Sequence, residues 1–298
     1  MQRALSEKFE AQRLAAAFPP ILLEAIRVAN TVAQGVHGRR RVGVGEAFWQ
    51  FRRYQEGDTA SDIDWRQSAR SQHHFVRENE WEAAQSVWIW CDGSESMRYT
   101  SLAHQSEKIA RARLLALALS SLLLRGGERV GVLGKLKAPT SGPSALTRIA
   151  IALLDNSTSS QNAPAPQPLP RNSQVVLLSD FLSPAKDVLD VVESFASNKG
   201  LGHLVQVIDP AEVDLPFSGR TKFLGLENEA PLIIGRAEDL RTDYQAAFRA
   251  HQETLTKGAA RLGWTFGAHR SDKSPHTALL ALYNRMLGET TTNWEPFS

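Results

Sequence analysis

Hydrophobic positions along the chain fall into three regimes. Over residues 1 to about 37, Leu14, Phe18, Ile21, Leu22, Ala25, Ile26 and Ala29 recur at helical spacings around a Pro19-Pro20 break. Proline is tolerated in a first helical turn but not inside a helix, so the pair ends one short helix and opens the next. The pattern predicts an amphipathic arm lying on the main domain or on a partner. Residues 38 to 85 lose that period. Gly43-Val44-Gly45, Phe48, Trp49, Phe51, Tyr54, Gly57-Asp58 and Ile63-Asp64-Trp65 mix aromatics with turn residues, which predicts short strands and turns in a small β-rich layer.

From Ser86 to Ser298, short apolar runs alternate with longer stretches of helical period. Strands are expected at 86–92, 129–133, 174–180, 202–208 and 264–267, with an edge hairpin at 221–226 and 230–235. Helices are expected at about 103–125, 144–154, 184–198, 237–261 and 275–287. The first has Ile109, Ala112, Leu114, Leu115, Leu117, Leu119 and Leu122 with little polar surface, as in a helix packed flat on a sheet. Asn156 to Pro170 is rich in Ser, Gln, Asn and Pro and reads as a disordered surface loop. Such alternation predicts an α/β domain, a doubly wound mostly parallel sheet with helices on both faces.

The chemistry concentrates where Val87-Trp88-Ile89-Trp90-Cys91 runs into Asp92-Gly93-Ser94-Glu95-Ser96. Five apolar residues read as a strand buried on both faces. Ligands of open α/β sheets sit beyond the carboxyl ends of the strands, where Asp92 falls. One carboxylate and two hydroxyls make a hard-oxygen cluster of low charge, suited to Mg²⁺ or Mn²⁺ with an open coordination position. The same residues also suit an Asx or Ser turn ending a strand. A second strand, Gln174-Val175-Val176-Leu177-Leu178-Ser179, likewise ends in an acid, Asp180, and the two acids can converge over one rim.

Asp92-x-Ser94-x-Ser96 together with Asp180 resembles the metal-ion-dependent adhesion site of the von Willebrand factor A-type domain. The resemblance implies a divalent ion held by these residues and by a threonine from another loop. Thr140, in Lys137-Ala138-Pro139-Thr140-Ser141, is the candidate, with Ser141 as the alternative. Further, Gly43-x-Gly45-x-x-Phe48-x-x-x-Arg52-x-Tyr54-x-x-Gly57-Asp58, followed by Ile63-Asp64-Trp65-x-x-Ser68-Ala69-Arg70 and later Asp209-Pro210-Ala211-Glu212, is similar to a bacterial family. It is catalogued as domain of unknown function number fifty-eight. The chain departs from the family's habit at Ala47, Ser61 and Asp62. The resemblance implies an A-type domain that partners a MoxR-type AAA+ ATPase and binds a client protein through a carboxylate. Within the signature, Arg52, Asp58, Asp64 and Arg70 are expected to clamp the β-rich layer, with Tyr54 and Trp65 supplying apolar area.

Composition narrows the functions. Thirty-four basic and 32 acidic side chains leave a net charge of +2, which gives no bulk case for nucleic acid. Arg39-Arg40-Arg41 could contact phosphate, but Glu46, Glu56, Asp58, Asp62 and Asp64 are interleaved. The single cysteine, Cys91, makes no internal disulfide, and no run is long enough to span a membrane, so a cytoplasmic protein is expected. There is no P-loop and no Gly-x-Ser-x-Gly, and the eight histidines show no zinc spacing. A phosphatase using Asp92 would want a second Asp two residues on, where Ser94 stands. The expectation is therefore a non-enzymatic, metal-dependent interaction module. A metal-dependent phosphate or ester hydrolase and a weak nucleic-acid factor are the alternatives.

Overall fold

The computed structural model describes residues 20–34, 48–55, 63–71, 73–79, 84–103, 105–155, 163–165, 167–170, 173–197, 200–226 and 230–288. Two compact units emerge, one from residues 37–84 and one from the remainder.

In the smaller unit, β1 (Phe48–Arg53) and β2 (Phe75–Asn79) pair antiparallel. Between them lies a one-turn helix, α2 (Trp65–Ser68), where short strands and turns were expected. Asp64 explains it: its carboxylate accepts from the Gln67 amide and caps the turn. Tyr54 and Trp65 do not fill the interior as expected. Both are exposed, and the Trp65 ring meets His74 edge-on at 5.8 Å. The expected clamp through Asp58, and the Arg39-Arg40-Arg41 run, lie outside the described residues.

The larger unit is built on five parallel strands: β3 (Ser86–Cys91), β4 (Arg129–Val132), β5 (Gln174–Ser179), β6 (Leu201–Ile208) and β9 (Trp264–Arg270). Their order across the sheet is β4-β3-β5-β6-β9. The helices α3 (Lys108–Arg125), α4 (Ala145–Leu154), α5 (Ala185–Ala196), α7 (Arg241–Arg261) and α8 (Pro275–Met286) cross between them or follow them. Alternate residues of each strand face opposite ways. Val87, Ile89, Val176, Leu178, Val205 and Val207 pack in one core with α3, α4 and α8. Trp88, Val175, Leu177, Leu204, Trp264 and Phe266 pack in the other with α5 and α7. Both faces are covered, as in a doubly wound sheet.

The first core also takes in Ala25, Val28, Ala29 and Val32 of a helix at 20–34, α1. This described part of the arm thus belongs to this unit, and Arg125 at the end of α3 donates to the Asn30 side-chain oxygen at 2.6 Å; the shorter helix expected before Pro19 lies outside the described residues. The second core depends on two missing side chains. A Cβ on Gly131 would meet the Trp88 ring at 2.6 Å, and one on Gly202 would meet the Trp264 ring at 2.2 Å.

Two further expectations change in detail. The strands β7 (Thr221–Phe223) and β8 (Leu232–Ile234) do form a hairpin, but as a separate two-stranded sheet rather than an edge of the main one. The loop near 156–170 lies largely outside the described residues; of its described part, Leu169 packs against the second core. Among the described residues no helix is long and apolar enough to cross a membrane.

Candidate functional site at the carboxyl rim of the sheet

In the order β4-β3-β5-β6-β9, the chain leaves β3 for one edge and later returns to its other side as β5. The connections after β3 and β5 therefore run toward opposite faces and open a crevice between the two strand ends, where ligands of such sheets bind. Asp92 and Asp180 are the first residues beyond those two strands. The Asp92 amide still reaches the Leu178 carbonyl at 2.8 Å, so the sheet itself sets their separation.

Asp92 is buried and held by neutral donors. One carboxylate oxygen accepts from the Ser94 amide at 2.8 Å, and the other from the Ser179 hydroxyl at 2.6 Å. Burial pushes its carboxyl above the ordinary value of 3.8; the Ser179 and Ser94 bonds oppose the rise, and the nearby Asp180 charge adds to it. The Asp-x-Ser turn expected from sequence is present, and it does not stand alone. Ser94 and Ser96 bring their hydroxyl oxygens to 3.0 Å, and Ser96 donates to Asp180 Oδ2 at 2.7 Å. Since Ser96 spends its proton on the carboxylate, Ser94 is the donor in the hydroxyl pair. Asp92, Ser94, Ser96 and Asp180 thus belong to one continuous hydrogen-bonded cluster.

The backbone beneath Asp180 is clamped. Gln206 on β6 donates to the Asp180 carbonyl at 2.7 Å, and the Leu182 amide reaches Asp180 Oδ1 at 3.3 Å. The next residue, Phe181, is buried with φ of 47°, a left-handed conformation costly for a side chain of its size. Its amide bonds to the Ser179 hydroxyl at 3.1 Å, and its carbonyl accepts from His251 Nε2 at 2.7 Å. Strain held from both sides fixes where the Asp180 carboxylate points.

Lys108 and Glu212 were not anticipated from sequence. Lys108, the first residue of α3, is fully buried, and its ammonium donates to Asp180 Oδ2 at 2.9 Å and to Glu212 Oε1. Glu212 belongs to α6 (Pro210–Asp214), whose start is a capping box with Asp209. Its other oxygen accepts from the Asp209 amide at 2.8 Å, while Asp209 accepts from the amides of Ala211 at 2.8 Å and Ser101 at 2.9 Å. Burial opposes the charge on Lys108, but Asp180 and then Glu212 outweigh it, and the ammonium is held above its ordinary range. Burial pushes the Glu212 carboxyl up, against the pull of Lys108. The available signals were a lysine at the start of a largely apolar helix and the Asp-Pro-x-Glu capping pattern.

Thr140 is not part of this cluster. Its amide and carbonyl pair with Val130 at 2.7 and 3.0 Å, and its hydroxyl turns back to the Val130 carbonyl at 3.3 Å. Val130 lies level with Val87, near the start of β3. At about 3.3 Å per residue, the five residues from Val87 to Asp92 put Thr140 roughly 16 Å down the sheet. The alternative, Ser141, follows directly. The loop Lys137–Pro143 adds a short bridge to the edge of β4, and this consumes the residues expected to reach the rim.

The donor set fits a hard, partly hydrated divalent ion: two carboxylates and two touching hydroxyls, with no soft ligand among them. It is not a cage of acids, and among the described residues no group of three or more His, Cys, Asp or Glu is placed to hold a metal. One ammonium bonds to a cluster in which Asp92, Asp180 and Asp209 are all buried.

Comparison with known proteins agrees with the sequence signature. Uncharacterized proteins of Mycobacterium tuberculosis and Mycobacterium bovis are 25% identical over 282 residues, covering 88% of this chain and 86% of theirs. Among solved structures, the conserved hypothetical protein BatB from Bacteroides thetaiotaomicron aligns at a TM-score of 0.41 and 13% identity, over 70% of this chain and 100% of that one. The SpRpn10 VWA domain aligns at 0.31 and 8%, over 71% and 100%. These are distant likenesses. The family described as "Protein of unknown function DUF58" matches residues 50–254, more than half of the sequence, and the chain belongs to that family.

Proposed function

We propose that the chain is a protein-interaction module of von Willebrand factor A type. In this reading the rim takes Mg²⁺ or Mn²⁺, and through the ion a carboxylate of a partner. The observation that carries it is the convergence of Asp92, Ser94, Ser96 and Asp180 at the switch point of the sheet. Asp92 and Asp180 would hold the ion, directly or through water, and the two neutral hydroxyls would leave it electrophilic enough to accept an outside acid. The ion would supply the attraction for that acid. The protein's own part is to fix the oxygens, which the clamped Phe181 turn and the buried Asp92 do. The resemblance to domain of unknown function number fifty-eight favours a MoxR-type AAA+ ATPase as the energy-supplying partner.

Thermal unfolding with and without millimolar Mg²⁺ or Mn²⁺, alongside capture of a purified MoxR-type ATPase, tests this reading. An ion held by the native state alone raises the melting temperature by mass action. Wild type should melt higher with ion and release its partner in chelator, while Asp92→Ala should do neither yet remain folded. Equal melting and equal capture in chelator would leave a metal-independent adaptor instead.

A further inference from the structure

The position of Lys108 goes beyond that reading, on which it rests. Asp180 offers the rim two oxygens. Oδ1 faces the Leu182 amide at 3.3 Å, and Oδ2 already accepts from Ser96 at 2.7 Å and from Lys108 at 2.9 Å. The lysine is not a surface side chain that happens to fold inward. Its stem is fully buried, it opens an 18-residue helix, and its amide is tied to the Tyr99 carbonyl at 3.2 Å. It also has a second anchor in Glu212, which the Asp209 amide holds in place independently.

We propose that Lys108 is a tethered cation that competes with the divalent ion for Asp180 and so sets how tightly the rim binds it. An ion bonded to Asp180 sits about 2.1 Å from its oxygen. With the ammonium 2.9 Å from Oδ2, two cations sharing that oxygen would lie within about 5 Å of each other, close enough to repel strongly in a water-poor site. Glu212 gives the ammonium somewhere to stay when an ion takes Asp180. Without an ion, Lys108 holds the Asp180 carboxylate in place through its 2.9 Å bond, so the rim is pre-formed but weakly binding. Lys108 is a positioning and affinity-setting residue rather than a ligand.

Calorimetric titration of Mn²⁺ into the full chain, with folding checked by circular dichroism, tests this. Lys108→Met should bind Mn²⁺ at least about tenfold tighter than wild type. Glu212→Gln, which leaves the ammonium to Asp180 alone, should bind it more weakly. Arg98→Met, removing an exposed positive charge that pairs with Glu95 beside the same turn, should change affinity less than about threefold. Equal or weaker binding by Lys108→Met would overturn the proposal, as would a gain in Arg98→Met of the same size. If Lys108→Met does not fold, unchanged or tighter binding by Glu212→Gln overturns it. Binding by Lys108→Met where wild type binds nothing would support Lys108 as competitor while refuting ion dependence of the native protein. Equal binding by both would sink the competition alone, and no binding by either would sink both readings.

Discussion

The rim and the β6–β9 edge both bury ionisable groups, and they treat them in opposite ways. At the rim, Lys108 stays charged because Asp180 and Glu212 were built against it. At the other place, His203 on β6 and His269 on β9 are buried beneath the helices of the first core and kept neutral. Burial, then the Arg285 charge, lowers His203 to about 4; burial, then Arg111, lowers His269 to about 3, against a small pull from Asp272. His203 Nδ1 meets the Thr265 hydroxyl at 2.8 Å, but Nε2 of each ring has no hydrogen-bond partner among the described residues. A sheet can thus hold a buried charge only where the opposite charge is supplied, and elsewhere it excludes the proton. Charge is paired in one place and excluded in the other.

The sharpest way to break this comparison is to remove one partner at the rim. Asp180→Asn leaves a buried ammonium with Glu212 alone and should cost about 3 kcal/mol or more in urea unfolding. A loss near zero would mean that the pair holds nothing. Acid acts next, and on the other region. Each histidine's folded value lies below its ordinary 6.5, so the unfolded chain takes up protons first. Stability present above pH 6.5 is then lost as the pH falls toward 4 and 3. His269→Leu should retain about 2 kcal/mol more of its neutral-pH stability at pH 5 than wild type does. An unchanged profile would show that the ring is hydrated. The smallest effect belongs to Asp92→Asn. Its carboxylate has neutral donors, and burial already favours the uncharged form, so ion-free stability should stay within about 1 kcal/mol of wild type or rise. A loss as large as that of Asp180→Asn would erase the distinction between the two acids.

What could be read from sequence follows the same division. The strands and long helices were legible because each declares its period locally, and Asp92 and Asp180 because each ends an apolar run. The one-turn helix at Trp65 was missed because four residues carry no period, although Asp64 signals its cap. Thr140 was misplaced because a loop's destination depends on which strand edge it finds, and Val130 offered one. Lys108 and Glu212 were invisible as a pair. They lie 104 residues apart, and only the folded sheet makes them neighbours.

That separation has a kinetic consequence. The bonds that make the rim join Ser96 to Asp180 across 84 residues and Lys108 to Asp180 across 72. Both wait for β3 to find β5, a parallel pairing that must close a long loop before any contact rewards it. A rim that assembles only after the folding transition state would give an ion or partner seated there nothing to act on until the native state forms. Its stabilisation should appear almost wholly as slower unfolding, with the refolding rate unchanged, in stopped-flow traces recorded with and without Mn²⁺. Such a site would govern how long the native state lasts, and hardly at all how quickly it is reached.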